Sequence, residues 1–507
     1  MWSFNLLNIN PNISINFLNY CLLDTFFFPL LSLIIIYVAK PLSDLKLYNI
    51  SLGLSIISFI FSLLLWFSLN KAMGGFQATY SFDIIPSFSF PLHLGVDGIS
   101  IFFILLTNFF IYLCILSLKI ETSKLSEALI HLFFLQWSVI GSFLFLDLLG
   151  FFLFFEITLI PIYFLVLIWG SRERRIRASY LISIYTLLGS IFIFFNLLYL
   201  YSKTGTTEYD LLLTIQLNEL DQRFLWITFF IAFAAKIPVF PLHIWLPEAH
   251  VEAPTLGSVI LAVLLLKLGT YGLIRFSLPL FPEGTLYYTP IISTFAILGI
   301  IFTCLTAIRQ IDLKKIIAYS SVGHMNIVLL GILAGNVEAL QGAIFQMLSH
   351  GVVSGALFFC VGSLYERYAV RSLNYFGGLN AMYPLLSITF LIFSLANISF
   401  PLTSSFVGEF LILMGLFIHN FWSTFFASTG MVLGAVYTLW TYNRVFYGNV
   451  RALSLTLYVD LTRKEVALFS SLIFILFVMG VAPYIFLNTL FIDCLNLLEH
   501  AKAVRTF

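Results

Sequence analysis

Apolar runs long enough to cross a bilayer recur along the chain, with short polar connections between them. With about 20 residues per crossing as the template, they fall at 22–39, 48–70, 98–118, 129–147, 150–169, 179–201, 224–246, 255–279, 289–308, 315–334, 339–364, 384–418, 425–447 and 465–490. The pattern predicts an all-α polytopic membrane protein of about 14 transmembrane helices with no soluble domain. Helices with this spacing satisfy their own backbone groups in hydrocarbon, as a spanning segment must. The longest polar stretches, 71–97 and 202–222, are each too short to fold alone.

Two of the runs are broken. Residues 231–254, IAFAAKIPVFPLHIWLPEAHVEAP, place Lys236 inside an apolar segment and then interrupt it with Pro238, Pro241 and Pro247, with His243, Glu248 and His250 close by. A charge at bilayer depth costs about 2.5 to 3.5 kcal/mol on insertion scales. Proline frees backbone carbonyls, which hydrocarbon tolerates only where protein or a polar cavity re-satisfies them. The segment reads as a discontinuous helix 7 lining something polar. Residues 391–414, LIFSLANISFPLTSSFVGEFLILM, repeat the theme in helix 12, with a break at Pro401 and Glu409 in the second half. Two interrupted helices five crossings apart are the pattern of inverted-topology repeats, because an odd number of crossings reverses orientation. The chain then divides into 1–128 (helices 1–3), 129–280 (first five-helix repeat, helices 4–8), 281–447 (second repeat, helices 9–13) and 448–507 (helix 14 and a tail).

Composition agrees with the pattern and adds an orientation. Of 507 residues, 60% are hydrophobic and 10% charged, with mean hydropathy +1.01, too little charge to solvate a globular surface. A net charge of +1 offers nothing to a nucleic acid, and no such partner is expected. The cysteines Cys21, Cys114, Cys304, Cys360 and Cys494 share no C-x-x-C or zinc spacing and read as core residues. The opening stretch has no Lys or Arg before Lys40, so it lacks the basic start of a signal peptide and the Arg-rich character of a transit peptide. Basic residues instead gather after odd-numbered helices, at Lys40 and Lys46, Lys119 and Lys124, Arg172 to Arg177, Arg309 to Lys315, Arg367 and Arg371, and Arg444 to Lys464. Roughly 17 of the 25 Lys and Arg lie there. The positive-inside rule puts those loops in the cytoplasm or matrix, and both termini on the other side.

Six titratable groups sit in six different apolar runs: Glu156, Lys236, Lys267, His324, His350 and Glu409. Taken singly, a histidine is a packing residue, and a lysine or glutamate is half of a structural ion pair. Taken together, carboxylate, amine and imidazole spread through one bundle are what a proton relay needs. Burial favours the neutral form of each group and pairing favours the charged form, so a group balanced between them changes protonation when its neighbour moves.

The segments AAKIPVFPLHIWLPEAHVEAPTLGSVILAVLLLKLGTYGLIRF, RQIDLKKIIAYSSVGHMNIV, MLSHGVVSGALF and PLTSSFVGEFLIL resemble the antiporter-like membrane subunits of NADH–ubiquinone oxidoreductase, respiratory complex I. The resemblance covers nearly the whole chain and is strongest from about 140 to 450. It implies a 14-helix fold with two inverted five-helix repeats and broken helices 7 and 12. It also implies a multi-pass place in the mitochondrial inner membrane, both termini toward the intermembrane space. The partners it implies are other membrane-arm subunits, neighbouring antiporter-like subunits among them, and lipids. By the same resemblance, Glu156 is the fifth-helix glutamate that pairs with Lys236, and Lys267 is the connecting lysine of helix 8. His324 and His350 form a polar bridge along the mid-membrane axis, and Glu409 stands at its far end, where sister subunits have lysine. His243 is a family residue near the break, its role open between water chain and packing. No cofactor is expected on this chain. NADH, FMN, iron–sulfur clusters and ubiquinone belong elsewhere in the complex, so the chain would serve an NADH:ubiquinone reductase without a redox centre of its own.

Energetics separate a driven pump from a self-powered one. Moving one charge against about 180 mV costs roughly 4 kcal/mol, and no phosphate-binding loop, dinucleotide fingerprint or metal-cluster spacing is present to supply it. The expected function is therefore proton translocation driven by a redox partner. The alternative is a stand-alone monovalent cation/proton antiporter, which by resemblance shares the fold. A haem-bearing carrier would have to use His243, His250, His324 and His350, whose unequal spacing and proline-disturbed helix offer no axial pair.

Overall fold

The computed structural model describes residues 11–83, 91–121, 124–450 and 460–503. The chain opens with helices α1 (Pro11–Val38) and α2 (Asp44–Ser68). An antiparallel hairpin of β1 (Ala78–Asp83) and β2 (Pro91–Val96) follows, with Ala78 opposite Val96. Next come α3 (Ser100–Ser117), α4 (Leu125–Leu144), α5 (Leu148–Trp169) and α6 (Arg175–Thr204). Helix α7 is in two halves, Glu219–Lys236 and Trp245–Glu252, and is followed by α8 (Thr255–Leu280), α9 (Pro282–Arg309), α10 (Leu313–Leu333) and α11 (Val337–Tyr368). Helix α12 is again in two halves, Pro384–Asn397 and Ser404–His419, before α13 (Phe421–Phe446), α14 (Arg463–Val481) and α15 (Tyr484–Ala503).

Among the described residues, 11 helices are long and apolar enough to cross a membrane. The interrupted α7 and α12, together with α13, stand beside them in the same bundle. The sequence places a single helix at 465–490, but α14 stops at Val481 and α15 begins at Tyr484. Pro483 between them has no amide to donate and its ring clashes with the preceding turn, so the helix cannot run through. The polar stretch 71–97 holds the hairpin, which is docked against the bundle.

Burial ranks the helices from outside to inside. The apolar windows of α2 and α14 are 28% buried, whereas those of α8 and α11 are fully enclosed and that of α10 is 94% buried. These three inner helices carry Lys267, His324 and His350. The turn joining α10 to α11 is tight: Gly335 takes a left-handed φ of 70°, which costs glycine little. Asn336 then caps α11 by accepting the amide of Ala339. The short turn holds α10 and α11 side by side.

One face of the bundle gathers the hairpin, α15 and the end of α8. The Asp493 carboxylate of α15 accepts the amides of Gly75 and Gly98 at 2.6 and 2.7 Å. Beside it, Asp97 accepts a hydrogen bond from the buried Arg275 guanidinium, which also donates to the Tyr271 hydroxyl. Burial, and then the like charge of Asp97, push the Asp493 carboxyl up from 3.8 to about 7. The docked helix therefore binds a proton more tightly than the released one between about pH 4 and 7, and its docking weakens as pH rises through 7. Hydrogen exchange at Gly75 and Gly98, corrected for intrinsic rate, should show more protection at pH 6 than at pH 8. Asp493→Asn should flatten that dependence; equal protection at both pH values in the unaltered protein would contradict the assignment.

Candidate functional site

The break in α7 starts where the first half ends, at Lys236. Pro238 and Pro241 prevent the helix from continuing, and a lysine in a last helical turn lies at the negative end of the helix dipole. The carbonyls freed there find new partners: the indole of Trp245, from the second half, donates to the carbonyl of Ala235 at 2.8 Å. Lys236 is buried, and its ammonium donates to the carbonyl of Phe155 at 2.8 Å while lying 3.1 Å from the centre of the Phe155 ring.

That carbonyl lies where α5 is interrupted at Thr158, whose hydroxyl also donates to it at 2.8 Å. Glu156 lies in the same turn. Its charge acts on Lys236, yet the ammonium rests on the Phe155 carbonyl, and among the described residues Glu156 Oε1 has no hydrogen-bond partner. Glu156 is half-buried at the rim of the bundle, between the exposed Leu153 and Ile160.

Helix α8 approaches the break closely. A Cβ at Gly269 would sit 3.0 Å from the Phe233 carbonyl oxygen, so only glycine allows this packing. A small cavity lined by Lys236, Thr186, Trp245 and Leu265 joins the two helices. Around Lys267, α8 is not a regular α-helix: π-helical turns at Leu261–Leu265 and Leu273–Ser277 flank it. The widened turn lets the Lys267 ammonium reach back five residues to the carbonyl of Ala262 at 2.5 Å. Its second contact is His350 Nδ1, at 2.8 Å. Lys267 is fully buried, and among the described residues no carboxylate touches it; its contacts are a backbone carbonyl and an imidazole.

The polar line continues across α11 and α10. The rings of His350 and His324 lie 5.7 Å apart, centre to centre. His324 Nδ1 meets Glu409 Oε1 at 2.7 Å, and Glu409 also accepts from Gln346 Nε2 at 3.0 Å and from the Ser399 hydroxyl at 2.5 Å. Among the described residues, the two Nε2 atoms, of His324 and His350, have no partner. Ser399 sits in the α12 break with a left-handed φ of 64°. It reaches forward to the Glu409 side chain, while the Ser405 hydroxyl, from the second half of α12, donates back to the Ala396 carbonyl of the first half, the counterpart of Trp245 and Ala235 in α7.

The structure thus joins Lys267 to His350 and His324 to Glu409 directly, and sets Lys236 beside Glu156 without a direct bond. Three contributors escape a reading of the sequence. Gln346 and Ser399 are uncharged, and the Ala262 carbonyl is exposed only by the π turn. Ser399, a small polar residue two positions before Pro401, was the one with a visible signal. His243 stacks on Phe240 at 5.6 Å and edges Tyr319 at 6.4 Å, an aromatic packing environment beside the break. His250 is sealed against Phe358 at 4.7 Å, and among the described residues neither of its ring nitrogens has a partner.

Chemically, each joined pair can pass one proton between its members: amine with imidazole, imidazole with carboxylate. The uncharged partners around Glu409 hold either of its protonation states by hydrogen bonding. Such a line can move protons along the bundle but holds no group to drive them.

Residues 146–434 match the family model described as NADH:quinone oxidoreductase/Mrp antiporter, transmembrane. The chain is similar to NADH-ubiquinone oxidoreductase chain 4 of Marchantia polymorpha, 48% identical over 94% of this chain and 96% of that one. Chain 4 of Arabidopsis thaliana is likewise 48% identical, over 93% and 95%. Among solved structures, a chain of respiratory complex I from Thermus thermophilus with bound NADH superposes with a TM-score of 0.87 at 28% identity, covering 95% of this chain and 99% of that one. A chain of the archaeal membrane-bound sulfane sulfur reductase shares the fold, with a TM-score of 0.83 at 22% identity over 95% and 99%.

Proposed function

The chain belongs to the NADH:quinone oxidoreductase/Mrp antiporter transmembrane family, and we propose that it is a proton-translocating membrane-arm subunit of respiratory complex I, coupling NADH:ubiquinone electron transfer to proton movement across the inner mitochondrial membrane. The observation that carries the reading is the buried line of paired groups: Lys267 with His350 at 2.8 Å, and His324 with Glu409 at 2.7 Å, on the enclosed helices α8, α11 and α10 and at the break of α12. The redox cofactors belong to other subunits of the complex.

The reading includes 14 crossings, with α7, α12 and α13 among them, arranged as two inverted repeats at 129–280 and 281–447. The termini then face the intermembrane space. The neighbours are other antiporter-like subunits and lipid.

Glu156 is the receiving end. It lies at the rim, where the charge state of an adjacent subunit reaches it, and its own charge acts on Lys236. When Glu156 is drawn toward that neighbour, Lys236 loses its counter-charge and gives up its proton toward α8. Lys267 and His350 pass a proton on. Bridging waters between Lys236 and Lys267 and between the two histidine rings complete the hydrogen-bonded path, and His324 delivers to Glu409, which releases it on the far side.

Replacing Lys236 or Glu156 with alanine should lower NADH-driven proton transport by the reconstituted complex while the complex remains assembled. Transport at the unaltered rate in both variants would sink the relay. Purification of the chain as a lone antiporter, free of NADH-oxidising activity, would favour the stand-alone alternative.

A further inference from the structure

Helix α1 turns an acid outward. Its inner face buries Leu18, Leu22, Phe26 and Ile36, and the inward hydroxyls of Thr25 and Ser32 are satisfied by carbonyls of their own helix. The outer face runs Phe17, Tyr20, Asp24, Phe27, Leu31, Ile34 and Val38, all exposed. The steps alternate three and four residues, the spacing of a helix–helix seam with a 3.5-residue period. Asp24 is the single polar position in that seam. Among the described residues no cation and no hydrogen-bond donor reaches it, and the one titratable group whose charge it affects is the Cys21 thiol.

Depth makes this face unlike its neighbours. Val38 adjoins the basic connection at Lys40. With about 30 Å of hydrocarbon and 1.5 Å per residue, the far boundary falls about 20 residues back, and Asp24 lies roughly 9 Å inside it. Aspartate is too short to reach the interface as a lysine or arginine stem does. Ionisable residues within spans ordinarily face the bundle interior or pair with one another. The outward faces of α6 between Tyr180 and Tyr201, and of α9 between Leu286 and Leu305, carry no charge at all, as contact with lipid requires.

We propose that the outer face of α1 is a contact for a transmembrane helix of a neighbouring subunit that carries a lysine or arginine at the depth of Asp24. The proposal rests on the chain being part of a multi-subunit membrane complex, as argued above. The partner's cation supplies the counter-charge that this chain does not, and the aromatic and aliphatic positions on either side of Asp24 supply the apolar seam. An acid and a base meeting in hydrocarbon also fix the depth at which the two helices register, which an all-apolar seam leaves free to slide.

A photoreactive benzophenone side chain at Tyr20, one turn from Asp24 on the same face, tests the contact in the intact complex in its native membrane. Irradiation should yield adducts to one protein subunit, whose linked peptide is a transmembrane segment containing Lys or Arg. Adducts to phospholipid alone, or to a segment without a basic residue, would overturn the proposal. As a second measure, Asp24→Lys should remove that subunit almost completely from the purified complex, while Asp24→Asn, which still accepts a hydrogen bond, should retain it. A full complement of subunits in Asp24→Lys would also overturn it. Co-purification of NADH oxidation with the unaltered chain is read separately, so failure of this contact and failure of the proposed function are distinguishable.

Discussion

Lys267→Arg should leave the complex assembled and able to oxidise NADH, yet reduce its proton translocation at least tenfold, equivalent to about 1.4 kcal/mol on the transfer step. Arginine keeps the positive charge and offers donors to the Ala262 carbonyl and to His350 Nδ1, the two contacts of Lys267. What it cannot do is give up its proton, because the guanidinium stays charged in proteins. The substitution separates a fixed charge from an exchangeable proton. Lys267→Met, which removes both, should be as inactive in transport. The measurement is acidification of vesicles holding the reconstituted complex, with NADH:ubiquinone reduction followed in parallel. Translocation by Lys267→Arg at the unaltered rate would reduce Lys267 to an electrostatic support.

Asp97→Ala should have the largest structural effect. Asp97 and Arg275 are each nearly inaccessible, and the guanidinium has three aromatic rings and the Tyr271 hydroxyl around it but one direct carboxylate. Removing that carboxylate leaves a buried cation uncompensated, which costs on the order of 3 to 5 kcal/mol. The chain should fail to accumulate in the complex, and the double variant Asp97→Ala with Arg275→Met should recover part of the loss, because it removes the stranded charge as well. Immunoblots of membranes resolved under native conditions report both. Normal accumulation of Asp97→Ala would mean that Asp493, on the neighbouring α15, takes over as counter-ion.

The two predictions draw on features of unequal visibility. Lys236, Lys267 and Glu409 stand out in the sequence because a charge in an apolar run is costly and needs a reason. Pro238, Pro241 and Pro401 mark the breaks because proline is incompatible with helical continuation. The contacts were less visible. Lys236 and Glu156 read as an ion pair, but the ammonium rests on the Phe155 carbonyl, which it shares with the Thr158 hydroxyl at the interruption of α5. The π turn before Lys267 consists of leucines, alanine and valine, and the one after it of Leu273, Ile274, Arg275, Phe276 and Ser277; neither set carries a side-chain signal that announces the change of register. Asp24 is plain in the sequence, but whether it faces inward or outward is decided by packing. Asp97 and Arg275 are 178 positions apart, a separation over which no periodicity speaks.

The π turns of α8 have a consequence for how this helix can change over time. A π turn holds one residue more than the α turn it replaces, so the segment from Thr255 to Lys267 contains a residue that regular winding would not accommodate. Deleting one of Leu261 to Leu265 would restore ordinary winding with the two sides still in phase, and would close the widened turn through which the Lys267 ammonium reaches the Ala262 carbonyl. Lys267 would keep its identity and its side of the helix, facing His350, but lose the Ala262 carbonyl that now shares its ammonium. Point substitutions at these buried residues alter volume, whereas a three-nucleotide deletion removes the widened turn itself. The helix is thus permissive toward spelling and intolerant of length, and residue count between Thr255 and Lys267 is as much a part of the site as the lysine itself.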